Sequence, residues 1–291
     1  MSDEARRDPR RSHQHPQGAR LSGTSDAPDP AGTVHRRYLN LEAMCYSDDA
    51  RPPLPPVVGG AASDHGDLHL NAADGNRFMA YAARAAEPTG AGMVVMPDVR
   101  GLHPFYKELA VRFAEAGIDA VAIDYFGRTA PNEDRGEGFD WKTEIARTTS
   151  DQIAADTRAA VEFLATADGG QVRATFTVGF CYGGRNSWSQ LANGHGLAGS
   201  VGFYGGQPES LLPLVPTMKG EMLMLLAGDD FTPPEQFAKV AEAVRAAGIP
   251  VESHTYPGAP HSFFDRSYAE HKEACDDAWQ RMLAFMQRLT P

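Results

Sequence analysis

The chain has 291 residues, of which 42% are hydrophobic and 22% are charged. A chain of this length and composition can bury a full hydrophobic core, so a generically disordered protein is excluded. Its 27 Lys and Arg residues against 38 Asp and Glu give a formal net charge of -11, the wrong sign for binding a phosphate backbone or an anionic membrane surface. Nucleic acid and membranes are therefore not expected as partners.

Three cysteines, Cys45, Cys181 and Cys275, are spread along the chain. They are too few and too widely spaced for a disulfide framework or a thiolate metal cluster, which indicates a reducing compartment. No stretch approaches the roughly 18 apolar residues of a membrane span. No apolar run follows Arg10 and Arg11, so neither a secretory nor a twin-arginine signal is indicated. The expected location is the cytoplasm.

The N-terminal region divides into two segments by composition. Residues 1–34 contain no aromatic residue and few hydrophobic ones. They lack the apolar surface that would offset the entropy of ordering, so they are predicted to be a disordered leader. The Pro-rich run from Pro52 to Pro56 predicts a stiff, extended connector over residues 35–64. Residues 65–291 are then the folded domain.

In this domain, strand-like and helix-like patterns alternate. They predict, in order, hairpin strands at 68–71 and 78–83, a strand at 93–96, a helix at 104–116, a strand at 120–123, a helix at 150–166, a strand at 174–180, a helix from about 184, strands at 199–203 and 222–226, a helix at 234–247, a strand at 251–256 and a helix at 268–289. This order indicates an α/β fold with a doubly wound, mostly parallel sheet and helices on both faces. In such sheets, ligands bind beyond the carboxyl ends of the strands.

The most informative segment follows the strand at 174–180. The chain runs through Gly-Phe-Cys-Tyr-Gly-Gly at 179–184 and then into a helix. This pattern is typical of a nucleophile elbow, in which the glycines let strand and helix approach closely and the helix N-terminus faces the reacting centre. A thiol at a helix N-terminus has its thiolate form favoured, which suits a nucleophile. Cys181 is the predicted nucleophile, and the alternative is a buried, inert cysteine.

An elbow of this kind requires a carboxylate and then a histidine later in the chain. Asp229 and Asp230 follow the strand at 222–226, and His261 follows the strand at 251–256. His261 would accept the thiol proton and later activate the water that cleaves an acyl-enzyme, while the carboxylate fixes its tautomer. Both aspartates are candidates for that orienting role, because one of them could instead cap the next helix.

These motifs resemble those of the dienelactone hydrolase family of α/β-hydrolases, and they occur in the same order. The resembling segments are the elbow at 179–184, Gly-Asp-Asp-Phe-Thr-Pro at 228–233 and Gly-Ala-Pro-His-Ser-Phe-Phe at 258–264, within a resemblance that covers about residues 65–290. The resemblance implies an α/β-hydrolase fold with a Cys-His-Asp triad. It also implies hydrolysis of a lactone or enol ester in a carboxylate-bearing small molecule, through a cysteinyl acyl-enzyme and without a cofactor.

The resemblance assigns roles to further residues near the triad. In the family the orienting Asp stands four residues before a proline, which selects Asp229 and leaves Asp230 in reserve. Asp98 stands where the family usually carries a Glu near the thiol, and its alternative is an ordinary turn carboxylate. The backbone N–H groups of Val99 and Tyr182 match the two donors to the oxyanion.

Arg128 matches a family arginine that grips the substrate carboxylate, a role that suits a planar, bidentate guanidinium. The alternative is a surface arginine paired with Glu133 or Asp134. At the place of a second family arginine, shortly after the histidine, the chain has Asp265, and Arg266 comes one residue later. This departure weighs against a two-arginine clamp and against a dienelactone as the substrate.

The sequence therefore predicts a cysteine-dependent hydrolase of small lactones or esters. Phe139, Trp141 and Tyr204 are candidate walls of its pocket. If Arg128 points away from the pocket, a carboxylesterase for neutral esters is favoured instead. An alternative of another class is a catalytically silent binding or redox-sensing module, in which Cys181 is oxidised rather than acylated.

Overall fold

The computed structural model describes residues 50–56, 60–136 and 138–291. The predicted leader at 1–34 and Cys45 lie outside the described residues. No helix among the described residues is both long enough and apolar enough to span a membrane.

Eight strands form one sheet in the spatial order β1-β2-β4-β3-β5-β6-β7-β8. The strands are β1 (Ala62–Asn71), β2 (Arg77–Ala85), β3 (Ala91–Met96), β4 (Asp119–Ile123), β5 (Ala174–Phe180), β6 (Gly199–Phe203), β7 (Glu221–Asp229) and β8 (Val251–Pro260). β1, β2 and β4 pair antiparallel, and all other neighbouring strands pair in parallel. Every residue of β3, β4 and β6 is buried, as expected for parallel strands covered on both faces.

Six α-helices accompany the sheet in the described residues: α1 (Pro104–Glu115), α2 (Trp141–Arg147), α3 (Ser150–Leu164), α4 (Tyr182–Ser189), α5 (Pro234–Ala246) and α6 (Lys272–Leu289). Two 3-10 helices lie at Gln190–Ala192 and Pro208–Thr217. Local sequence explains where several helices start. α3 begins with a capping box, in which the side chains of Thr149 and Gln152 each accept the backbone N–H of the other. α1 and α5 each begin with a proline, whose missing N–H is not needed there.

The helices cover both faces of the sheet. On one face, Phe113 of α1 meets Trp279 of α6 with ring centroids 4.9 Å apart, and Phe285 of α6 packs against Phe176 of β5. On the other face, Val161 of α3 borders two apolar clusters that contain residues of β3, β4 and β7 together with α4 and α5. Burying a large apolar side chain such as Trp279 stabilises the fold by roughly 2 to 3 kcal/mol. The predicted fold, a doubly wound and mostly parallel sheet, is confirmed.

The edges of the sheet extend further than the sequence predicts. β1 begins at Ala62, earlier than the predicted start at residue 68. The sequence did not indicate residues 63–67 because they are largely exposed in an edge strand and show no regular apolar alternation. β8 continues to Pro260 through Pro257 and Gly258, residues that indicate a turn. β8 is the opposite edge strand, where proline is tolerated because one side of the strand needs no hydrogen-bonding partner.

Part of the Pro-rich segment packs on the domain. Pro52, Pro53 and Pro55 are buried, and the indole Nε1 of Trp279 donates a hydrogen bond to the carbonyl oxygen of Pro53 at 3.1 Å. A buried Trp needs a partner for its N–H, and here a proline carbonyl supplies it. Of the predicted connector at 35–64, residues 35–49 and 57–59 lie outside the described residues.

Candidate active site

Cys181 lies in the sharp turn between β5 and α4. Its backbone has φ 53° and ψ -112°, a positive φ that a non-glycine residue adopts only under strain. The Cys181 N–H donates to the carbonyl oxygen of Phe203 in β6 at 3.1 Å, and the residue is 9% exposed. The turn therefore holds the thiol at the carboxyl end of the sheet, where the N-terminus of α4 begins.

Two glycines of the elbow have no room for a side chain. A Cβ on Gly179 would lie 1.9 Å from the carbonyl oxygen of Gly183, and a Cβ on Gly183 would lie 2.1 Å from that of Met96. The backbone of β5 therefore lies at van der Waals distance from the start of α4, and the start of α4 lies equally close to the end of β3. This close approach is what the elbow pattern predicts. This contact brings the loop after β3, which contains Val99, against the N-terminus of α4, which begins with Tyr182.

His261 follows β8 directly and pairs with a carboxylate from the end of β7. Its Nδ1 lies 2.9 Å from Oδ2 of Asp230, and the two side chains are only 3% and 2% exposed. Oδ1 of Asp230 also accepts the backbone N–H of Thr232 at 3.0 Å, which fixes the carboxylate. With Nδ1 donating to Asp230, the other ring nitrogen is left as a proton acceptor.

The aspartate that contacts His261 is therefore Asp230 and not Asp229, the residue selected from the resemblance. Asp229 is the last residue of β7 and is exposed. Consecutive side chains of an extended segment point in opposite directions, so only one of the two aspartates can face the histidine. A count of residues to the next proline does not reveal this geometry.

The His261 ring contacts two aromatic rings. The ring centroid of Tyr204 lies 4.8 Å away and that of Phe231 lies 4.4 Å away. His261 Nε2 is buried and has no hydrogen-bond partner among the described residues. The Cys181 N–H donates to the carbonyl oxygen of Phe203, the residue before Tyr204. Cys181 follows β5, Asp230 follows β7 and His261 follows β8, with β6 between β5 and β7.

Asp98 is buried in the loop after β3, close to this group. Its N–H donates to the hydroxyl of Tyr106 at 3.0 Å, and its Oδ1 accepts the N–H of Arg100 at 2.9 Å. Burial raises the pKa of the Asp98 carboxyl, and the positive charges of Arg100 and His261 oppose that shift. Asp98 is thus a buried carboxyl group in the loop that follows the carboxyl end of β3.

We expect Asp98→Asn to make Cys181 react faster with iodoacetamide at neutral pH, because it removes a carboxylate that opposes the negative thiolate. Asp98→Glu should slow the reaction, since a longer side chain brings its charge nearer. The exposed Asp229→Asn serves as a charge-matched control and should react at the wild-type rate. Coinciding rates for wild type and both Asp98 variants would mean that this carboxylate is not coupled to the thiol.

Arg128 does not have the surroundings expected of a carboxylate clamp. Its Nη1 and Nη2 donate to Asp74 in the β1–β2 turn at 2.6 and 3.1 Å, and its Nη2 and Nε donate to Asp156 of α3 at 2.8 and 3.3 Å. The alternative partners Glu133 and Asp134 are not its partners in these hydrogen bonds. The guanidinium is therefore engaged by two carboxylates of the protein itself.

Of the candidate pocket walls, Tyr204 contacts His261. Phe139 packs against Phe126 with ring centroids 5.1 Å apart, and Trp141 is a half-buried residue that lies under the ammonium of Lys142. These contacts place neither of the two beside His261. Sequence reasoning missed Phe231, which is 52% exposed and lies on the His261 ring. Its position next to Asp230 is the only sequence signal that could have indicated it.

The described residues contain no group of three or more His, Cys, Asp or Glu side chains arranged to hold a metal ion. At the carboxyl end of the sheet they place a cysteine in a strained turn and a buried His–Asp pair. A strand–turn–helix elbow followed in chain order by an aspartate and a histidine, on a doubly wound sheet, is the arrangement of the α/β-hydrolase fold.

A sequence model of the dienelactone hydrolase family matches residues 78–290, so the chain belongs to the dienelactone hydrolase family. It is 29% identical to a carboxymethylenebutenolidase of Rhodococcus opacus over 266 residues, covering 84% of this chain and 97% of the relative. Among solved structures, it is similar to a dienelactone hydrolase-like promiscuous phosphotriesterase from metagenomic libraries, with a TM-score of 0.66, 21% identity and 78% and 99% of the two chains covered. An esterase of Pyrococcus furiosus shares the fold, with a TM-score of 0.57, 13% identity and 83% and 98% covered.

Proposed function

We propose that the protein hydrolyses a small lactone or ester through an acyl-enzyme on Cys181, with His261 as the base and Asp230 as the orienting carboxylate. The observation that carries the proposal is the buried contact of 2.9 Å between His261 Nδ1 and Asp230 Oδ2. It leaves Nε2 as a proton acceptor at the carboxyl end of the sheet, the edge at which Cys181 stands in its strained elbow. Ester turnover that requires Cys181 is the test of this proposal.

In the first half of the reaction, the Cys181 sulfur attacks the carbonyl carbon and its proton passes to His261 Nε2. The N–H groups of Tyr182 and Val99 would stabilise the oxyanion that forms. When the tetrahedral intermediate collapses, the C–O bond to the alcohol breaks and the alkoxide takes the proton from His261. In the second half, His261 removes a proton from water, the hydroxide attacks the thioester, and the acid leaves as Cys181 regains its proton.

The alternative of a silent, redox-sensing module receives less support. Oxidation of a thiol needs access and thiolate character but no histidine held by a carboxylate. A His–Asp pair with both side chains almost fully buried is costly to desolvate and is useful to a hydrolase. The buried pair therefore favours acyl transfer.

For the substrate, the surroundings of Arg128 support a neutral ester or lactone as a second candidate beside the anionic substrate. The name of the Rhodococcus opacus relative supports a lactone, but Arg128 already donates to Asp74 and Asp156. A chain with a net charge of -11 also repels anions at long range.

Two free cysteines in the described residues, Cys181 and Cys275, support a reducing, cytoplasmic location.

Replacing Arg128 with alanine should change stability rather than substrate choice. The side chain of Asp156 is 1% exposed and would lose its cation, so we expect a loss on the order of 3 kcal/mol in the free energy of unfolding. KM for a neutral ester and for its carboxylate-bearing counterpart should change by the same factor. Lys239→Ala is the control, because in its pair with Glu209 both side chains are exposed, at 61% and 42%, and such a pair should contribute about 0.5 kcal/mol. A rise in KM confined to the anionic substrate would restore Arg128 as the clamp.

A further inference from the structure

Asp265 is a buried carboxylate next to the site that the proposed reaction does not use. It lies four residues after His261 and is 1% exposed. Its Oδ2 accepts the hydroxyl of Tyr204 at 3.1 Å, and its Oδ1 accepts the N–H of Arg266 at 2.7 Å. Burying a carboxyl group is costly, so a group in this position needs a reason to be retained.

Tyr204 connects this carboxyl group with the histidine. It is fully buried immediately after β6, and β6 lies between the strands that carry Cys181 and Asp230. Its backbone has φ 36°, a strained conformation for a tyrosine, and one that aims the ring at His261. The hydroxyl of a buried tyrosine needs a hydrogen-bond partner, and Asp265 supplies it from the loop of the histidine itself.

The loop that carries His261 contains the same carboxyl group. Ser262 has φ 63°, its carbonyl oxygen accepts the N–H of Arg266 at 2.8 Å, and that N–H also donates to Oδ1 of Asp265. A strained residue directly after the catalytic base keeps its conformation only when the surroundings fix it. Asp265 thus lies within this turn, accepts the N–H of Arg266 at its end, and links the turn to the end of β6 through Tyr204.

We propose that Asp265 and Tyr204 are positioning residues that hold the His261 imidazole through the Tyr204 ring, as a second support beside Asp230. This inference rests on the proposed role of His261 as the base. Asp230 fixes the tautomer and the direction of Nδ1, while the Tyr204 ring, held by Asp265, fixes the plane of the imidazole. A small displacement of a catalytic base lowers the reaction rate strongly, so a second contact that fixes the imidazole would raise kcat.

The ionisable groups around Asp265 determine how much negative charge its carboxyl group places near His261 at neutral pH. The groups that face Asp265 are the carboxyl of Asp98, the hydroxyls of Tyr204 and Ser262, the N–H of Arg266 and the thiol of Cys275. Burial and the charge of Asp98 raise the pKa of Asp265 to about 8. The raised pKa favours the neutral carboxyl group, which can accept the Tyr204 hydroxyl without attracting a proton to His261. Asn at this position has one acceptor oxygen in place of the two that accept from Tyr204 and Arg266, so one of these hydrogen bonds is lost.

The test compares Asp265→Asn and Tyr204→Phe with Tyr256→Phe in the full chain. Tyr256→Phe removes a Tyr–Asp hydrogen bond of the same type, from the Tyr256 hydroxyl to Asp277 at 2.9 Å. The readouts are kcat and KM for p-nitrophenyl acetate, and the side-chain ¹⁵N resonances of His261 through a pH titration, assigned by their loss in His261→Ala. We expect both site variants to lower kcat about tenfold with little change in KM and to shift the His261 resonances. Tyr256→Phe should do neither.

Wild-type kcat together with unchanged His261 resonances in both site variants would overturn the proposal. A lowered melting temperature with unchanged resonances would overturn it as well, since it would assign Asp265 to stability alone. Tyr204→Phe keeps the test available if Asp265→Asn does not fold. Failure of the proposed function has a different signature: Cys181→Ala would retain turnover, whereas the resonances of His261 would still report whether Tyr204 and Asp265 position it.

Discussion

Replacing Cys181 with alanine is expected to lower kcat for p-nitrophenyl acetate by about 10⁴-fold or more, with thermal unfolding nearly unchanged. The variant removes the sulfur on which the proposed acyl-enzyme would form and substitutes a side chain that fits the 9% exposed position. Triad residues act as a unit, so His261→Ala added to Cys181→Ala should lose little further activity. The measurement is steady-state turnover of wild type, both single variants and the double variant.

Cys275→Ala is the matched control for this loss. Cys275 is buried in α6, where its Sγ lies 3.5 Å from the carbonyl oxygen of Phe263. Burial, followed by the charges of Asp265 and Asp276, raises the pKa of its thiol to about 12, so it has almost no thiolate at neutral pH. The control should keep wild-type turnover. Retained activity in Cys181→Ala would rule out the cysteine mechanism.

Asp230→Asn is expected to lower kcat by about 10³- to 10⁴-fold, whereas Asp229→Asn should leave turnover near that of wild type. An amide at position 230 would present a donor as readily as an acceptor to His261 Nδ1 and so permit the wrong tautomer. The two aspartates are adjacent in sequence and isosteric, but only Asp230 contacts the histidine. Comparing these two variants therefore distinguishes a role in the triad from an effect of local charge.

Both variants should be compared by kcat and KM at pH 7, with melting temperatures as a check on folding. The loss in Asp230→Asn should fall on kcat, because the carboxylate stabilises the imidazolium that forms in the transition state. A large loss in Asp229→Asn together with an active Asp230→Asn would contradict the arrangement and return the role to the residue four positions before the proline.

The parts of the fold and site that could be predicted are those determined by local sequence. The elbow is local: Gly179 and Gly183 are required by contacts within a few residues of Cys181 and with the end of β3. Strands buried on both faces, such as β3 and β6, appear as continuous apolar runs. The order of these elements was therefore predictable, and so was the place of the thiol.

The parts that could not be predicted depend on pairs of residues far apart in sequence. Arg128 is engaged by Asp74 and Asp156, 54 and 28 positions away, and no local pattern distinguishes these carboxylates from Glu133 or Asp134. Tyr204 and Asp265 are 61 positions apart and meet only because β6 and the loop after β8 end at the same edge of the sheet. Side-chain direction decided between Asp229 and Asp230.

The most direct measurement of the central claim is mass spectrometry of the protein quenched with acid during the turnover of a p-nitrophenyl ester. Acid preserves a thioester, so an acyl-enzyme formed before hydrolysis should be recovered. The proposed mechanism predicts that the peptide containing Cys181 gains the mass of the acyl group and that the gain is absent in Cys181→Ala. An acyl group on another side chain, such as the neighbouring hydroxyl of Ser262, or turnover with no acyl group on Cys181 at any quench time, would contradict it.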